Sequence, residues 1–168
     1  TLTLPLGTAF ADPGVSLNAP AGTVLTQTVN GVLGGQVNTL CPGSYVIVYT
    51  ATTGSASASV SRTVNVTESI SLVAPAKVTR NIEIATGKAN VDLASVVSIT
   101  GLPVNVNVPL TFSVAVPSVN YNQTGLAALP TLSFGQVGAY PVTVKAFSSC
   151  GGEVGAVAFQ VVIDPGNV

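Results

Sequence analysis

Apolar and polar side chains alternate along most of this chain. In "PGSYVIVYTATTGSASASVSRTVNV", residues 42–66, Tyr45, Ile47, Tyr49 and Ala51 share one parity, and Ala58, Val60, Val64 and Val66 share another after a small-residue gap. A period of two is that of a strand, whose successive side chains face opposite sides of a sheet. The same signal predicts strands over 1–5, 15–18, 23–29, 45–51, 57–66, 69–74, 77–84, 96–100, 110–116, 130–134, 139–147 and 154–163, between turns of Gly, Pro, Asn and Ser. Only "LASVVSI", 93–99, reads as helical, and its β-branched residues limit it to one turn. Many short strands at near-regular spacing predict an all-β sandwich or barrel.

The pattern repeats. Gly43-Ser44-Tyr45 aligns with Gly138-Ala139-Tyr140, an offset of 95, and Tyr45, Ile47, Tyr49 and Ala51 then align with Tyr140, Val142, Val144 and Ala146. Both strands run into a small-residue turn and return as a second alternating strand, with the offset grown to 97. The reading is a hairpin duplicated at the end of each half, with the boundary near Thr67–Ser69. The other reading is that any two hairpins look alike. A Tyr opening the penultimate strand suits the tyrosine corner of immunoglobulin-like sandwiches, whose hydroxyl ties back to a nearby backbone group. For Tyr45 and Tyr140 a plain core aromatic stands beside that role.

"LPLGTAFADPGVSLN" (4–18) and the closing stretch 42–66 resemble the bacterial immunoglobulin-like surface repeats of the hyalin-repeat type, over residues 1–67. Two departures stand out: the family's acid after "YTAT" is Thr53 here, and its "GN" turn is Gly54-Ser55. The second half keeps only the closing hairpin. The resemblance implies two tandem immunoglobulin-like β-sandwiches, 1–67 and 68–168, in a secreted or surface-anchored protein. It implies stalks, spacers or adhesive arms, and no catalytic residues.

Cys41 precedes the penultimate strand of the first half, and Cys150 lies in the last hairpin turn of the second. In a seven-stranded sandwich these places are opposite poles, which meet when modules stack head to tail. The expectation is an inter-module disulfide, allowed by an oxidising compartment and an even cysteine count. Closing so long a loop restricts the unfolded chain by up to ~4–5 kcal/mol in the entropy model. Unpaired thiols, or bridges to other chains, are the alternatives.

Composition narrows the function classes. Of 168 residues, 47% are apolar but only 7% charged, against about 25% in a typical soluble domain. Thr, Ser, Asn, Gln, Ala and Val must therefore cover the surface. A net charge of -1, with Arg62, Lys77, Arg80, Lys88 and Lys145 scattered, removes the electrostatic case for nucleic acid or an anionic membrane. Mean hydropathy is +0.61, yet the longest apolar runs, such as "YVIVY", fall far short of the ~20 residues of a spanning helix. Aromatics at 5% are too few for the girdles of an outer-membrane barrel. No signal peptide is present, and Thr1 in place of an initiator Met points to a processed chain or an excised piece.

Candidate chemistry is sparse. Without His there is no usual base or triad. The acids Asp12, Glu68, Glu83, Asp92, Glu153 and Asp164 are too dispersed for a calcium site. Turn formation suffices for Asp12-Pro13-Gly14 and Asp164-Pro165-Gly166. No cofactor is expected. Asn65-Val66-Thr67 and Asn122-Gln123-Thr124 are glycosylation sequons, with Asn122 in an expected loop. Arg62 breaks an inward-facing apolar series, which snorkelling from the sheet edge or a bulge would resolve. Lys145 has the outward parity of its strand. Tyr121 alone is an aromatic suited to sugar.

The strand 45–51 is apolar on its second parity too, at Val46 and Val48, so that face is expected to be covered. A module of 67 residues is short for seven strands, and a missing strand leaves an open edge. Three function classes follow. The first is a non-enzymatic structural or adhesive segment of an extracellular surface or appendage protein, partnered by copies of itself or neighbouring modules. The second is a filament subunit assembled by strand donation, with Leu2, Leu4 and Leu6 of "TLTLPL" on the donor strand. The third is a carbohydrate-binding module.

Overall fold

The computed structural model describes residues 1–166. The chain is all-β apart from two short helical turns. Its strands are β1 (Leu2–Pro5), β2 (Val24–Val29), β3 (Val32–Leu33), β4 (Gly43–Thr53), β5 (Ala56–Thr67), β6 (Ser71–Val73), β7 (Lys77–Asn81), β8 (Ala89–Asp92), β9 (Ser98–Thr100), β10 (Leu110–Val116), β11 (Tyr121–Leu126), β12 (Thr131–Phe134), β13 (Gly138–Ser148) and β14 (Glu153–Asp164). The α-helical turn, α1 (Leu93–Val96), is capped by Asp92, whose Oδ1 accepts from the Ala94 amide at 3.1 Å.

These residues gather into two compact units. The first comprises Thr1–Glu68 with Pro103–Asn107, and the second Ser69–Leu102 with the chain from Val108 onward. The five-residue excursion Pro103–Asn107 has no counterpart in a reading that cuts the chain once.

In the first unit the sheet order is β1-β5-β4-β2-β3, with β1 parallel to β5 and the other neighbours antiparallel. Val29, Ile47, Tyr49 and Val64 form the core on one face. Phe10, Val15 and Val37 pack against that core from segments without strands. Among the described residues this unit has no second sheet. The expected strand at 15–18 is coil: it runs between Pro13-Gly14 and Pro20 and has no neighbouring strand to pair with. On the opposite face Val46 is 38% exposed and Val48 half-buried.

In the second unit the main sheet runs β7-β14-β13-β10-β11, again with only the first pair parallel. The correspondence extends to length: β4 and β13 have 11 residues each, β5 and β14 have 12 each. Here a second layer exists, built from the pairs β8–β12 and β6–β9. Phe134 of β12 packs at a tilt of 39° against Tyr140 of β13, with ring centroids 4.6 Å apart. Strands β3, β8 and β11 were not expected. β11, "YNQTGL", is a polar edge strand containing a glycine, so it carries no alternating apolar signal.

Candidate functional site

The repeat register allows position-by-position comparison of the two main sheets. In the first unit Gln27 lies opposite Tyr49, and Ile47 opposite Arg62. In the second, Val114 lies opposite Val144, and Val142 opposite Phe159. The offset equates Tyr49 with Val144 and Ile47 with Val142. Thus Gln27, Tyr49 and Arg62 occupy sheet positions that the second unit fills with buried Val114, Val144 and Phe159. Polar groups on an inward face need partners, because an unsatisfied one costs about 1–3 kcal/mol.

Two of the three find theirs in the turn Asp12-Pro13-Gly14. Asp12 Oδ1 accepts from the Gly14 amide at 3.1 Å, which closes the turn on the carboxylate. The same oxygen accepts from Arg62 Nη1 at 2.7 Å, while Arg62 Nη2 donates to the Gly14 carbonyl at 3.3 Å. The Tyr49 hydroxyl donates to Asp12 Oδ2. Arg62 therefore neither snorkels from the edge nor sits in a bulge; β4 and β5 pair without a register shift through this region. The Arg62 and Asp12 side chains are 32% and 20% exposed, and Tyr49 only 5%. Burial lifts the Tyr49 phenol above its usual range, and the hydrogen bond and charge of Asp12 lift it further, with Arg62 opposing.

Beside this cluster lies a cavity of 270 Å³. Its wall includes Phe10, Asp12, Gln27, Gln36 and the backbone of Gly34 and Gly35. Gly35 packs tightly: a Cβ there would lie 3.0 Å from the Val32 carbonyl oxygen and 3.2 Å from Val29 Cβ.

The remaining residues singled out by sequence stand apart from this cluster. Tyr45 donates to the Cys41 carbonyl at 3.0 Å and the Asn38 carbonyl at 2.9 Å. Tyr140 donates to the Gln136 carbonyl at 2.9 Å, so both tyrosines reach the carbonyl four residues upstream. Gly43 and Gly138, two residues before each Tyr, share φ values of 153° and 158°, a conformation that L side chains rarely adopt. Cys41 and Cys150 are both disulfide-bonded. Cys41 Sγ also accepts from Asn38 Nδ2 at 3.1 Å. Leu2 and Leu4 lie on β1 opposite Val64 and Val66, and Leu6 is fully buried. This segment is thus a strand of its own unit. Asn65 is half-buried on β5. Asn122 is exposed, but on edge strand β11 rather than in a loop. Lys145 pairs with Glu153 at 2.9 Å on the surface. Tyr121 borders an apolar slot in the second unit with Val116, Val119, Leu132 and Phe134. No group of three or more His, Cys, Asp or Glu side chains able to hold a metal exists among the described residues.

Residues 1–66 match the family described as "Bacterial surface protein, Ig-like domain". That is the first unit's sheet with the Asp12 turn, and the resemblance read from the sequence holds there. No curated protein matches the chain. Among solved structures, the PKD domain (329-428) from human KIAA0319 is similar at 15% identity, covering 58% of this chain and 83% of that one, with a TM-score of 0.36. The Clostridium thermocellum CbhA fibronectin(III)-like modules are similar at 12% identity, covering 98% and 90%, with a TM-score of 0.32. No helix among the described residues is long and apolar enough to cross a membrane.

Proposed function

We propose that this chain is a non-enzymatic structural segment of an extracellular surface protein, acting as a stalk or joining piece. The observation that carries the reading is the match of residues 1–66 to a bacterial surface Ig-like family. The second unit supports it by repeating the same five-strand order, with the two hairpin strands equal in length to their counterparts. We read the two half-cystines as one intramolecular bridge, Cys41–Cys150, and the exposed Asn122 as the accessible glycan acceptor. Copies of the chain, or neighbouring modules of the same surface protein, are the expected partners.

A filament built by strand donation would require Leu2–Pro5 to leave the sheet in which it pairs with β5. Negative-stain electron microscopy at increasing concentration, without reductant, separates the two readings. Discrete particles at every concentration support the stalk; regular fibres with one subunit repeat would replace it with the filament.

A further inference from the structure

The Asp12 turn satisfies Tyr49 and Arg62, but it leaves Gln27. This amide sits on the inward parity of β2, half-buried, at the position of Val114 in the second unit. Its backbone carbonyl accepts from the Gly34 amide, but its side chain has no hydrogen-bond partner among the described residues. The amide stands where the duplicate puts valine, and since no buried side-chain N or O atom lacks a partner among the described residues, it is open to solvent and to a ligand. The group opens onto the 270 Å³ cavity.

The wall of that cavity specifies a ligand class. Gln27 and Gln36 each offer a carbonyl acceptor and an NH₂ donor. A carboxylate has about four acceptor positions. Asp12 spends two on Oδ1, with Gly14 and Arg62, and one on Oδ2, with Tyr49, so one remains. Phe10 contributes an aromatic surface. At Gly34 no atom lies within 4 Å of where a Cβ would stand, so the wall there is open at the backbone. The acid is already neutralised by Arg62 at 2.7 Å, so the site holds no net charge to attract an ion. The volume lies just below the ~300–1,000 Å³ of typical ligand pockets, which limits the occupant to about one small ring. Convergent amides, a spare carboxylate acceptor and an aromatic face match vicinal hydroxyls on a ring with apolar C–H faces.

We propose that this cavity in the first unit binds one neutral pyranose residue, through Gln27, Gln36, Asp12 and Phe10. The ligand is a free sugar or the end of a neutral glycan. The site is additional to a structural role and does not rest on it.

The test is an amide NMR titration of the full chain with glucose, galactose, mannose and N-acetylglucosamine, alongside an array of neutral oligosaccharides. At least one probe should shift the side-chain amides of Gln27 and Gln36. Response to free sugars alone assigns a small-molecule ligand, and response on the array assigns a glycan end. Gln27→Val, which installs the second unit's residue, should weaken binding at least ~10-fold by removing a hydrogen-bonding partner, with the melting temperature unchanged or raised. Gln36→Ala, at an exposed position, should weaken binding while leaving the fold intact. Tyr121→Ala should leave binding unchanged. Absence of any response to every probe overturns the proposal, as does full binding by both glutamine variants or loss of binding in Tyr121→Ala.

Discussion

Asp12 and Arg62 are the one acid and the one base of the first 67 residues, and they stand 2.7 Å apart across fifty residues of chain. The pair ties a turn that has no strand partner to the inner face of the sheet. A coil layer held in this way does part of the work that a second sheet does in the other unit. Because the two side chains are only partly exposed, their attraction is screened less than that of a surface pair.

Asp12→Ala and Arg62→Ala should each destabilise the chain by about 1–3 kcal/mol, less than the cost of breaking a fully buried pair. The double variant should lose less than the sum, with a coupling of at least about 0.5 kcal/mol. Urea denaturation of the four chains measures this; strict additivity would mean that the contact contributes nothing of its own.

Alkali should weaken the fold through Tyr49. Burial, then Asp12, raise its folded pKa, so the unfolded phenol ionises first. The contribution is whole below the unfolded pKa of about 10 and is lost as pH rises through the folded value. Burial raises Tyr45 in the same direction. Tyr49→Phe should therefore flatten part of the alkaline decline, with the Tyr45 share remaining, in denaturation curves taken from about pH 8 to 11.

Tyr45→Phe and Tyr140→Phe each remove a tie to a carbonyl four residues upstream. Each should cost about 0.5–1.5 kcal/mol. Tyr45 should be the more sensitive, since its hydroxyl also donates to the Asn38 carbonyl. Equal stability of the wild-type chain and both variants would reduce these residues to core aromatics.

Gly43→Ala and Gly138→Ala test the shared strand opening. At position 138 a Cβ would meet Tyr140 only at 3.5 Å, an ordinary contact, so the cost comes from φ and not from crowding. A loss of about 1–3 kcal/mol is expected at both sites. Thermal melts showing no change would mean that the backbone relaxes there.

Reduction should lower the melting temperature, because both cysteines are disulfide-bonded. If they bond to each other, the loss approaches ~4–5 kcal/mol, and non-reducing peptide mapping yields one linked pair carrying residues 41 and 150. Peptides linked to a second chain would replace the intramolecular bridge with an assembly contact.

Alternation alone carried the long hairpins β4–β5 and β13–β14, their duplication and the two tyrosines, because a period of two records which face of a strand is buried. It could not find β11 or β3, which are edges with little to bury, nor place Asn122 on a strand. Nor did it see that 15–18 is coil, since apolar spacing does not reveal whether a neighbouring strand is there to take the hydrogen bonds. The pairing of Asp12 with Arg62 was within reach: an arginine on an inward parity needs an acid, and the first 67 residues have only one. The cavity was not. Its walls come from a turn, a strand and the segment 34–37, and only the tertiary fold, by leaving out a second sheet, brings them around the unpaired amide of Gln27.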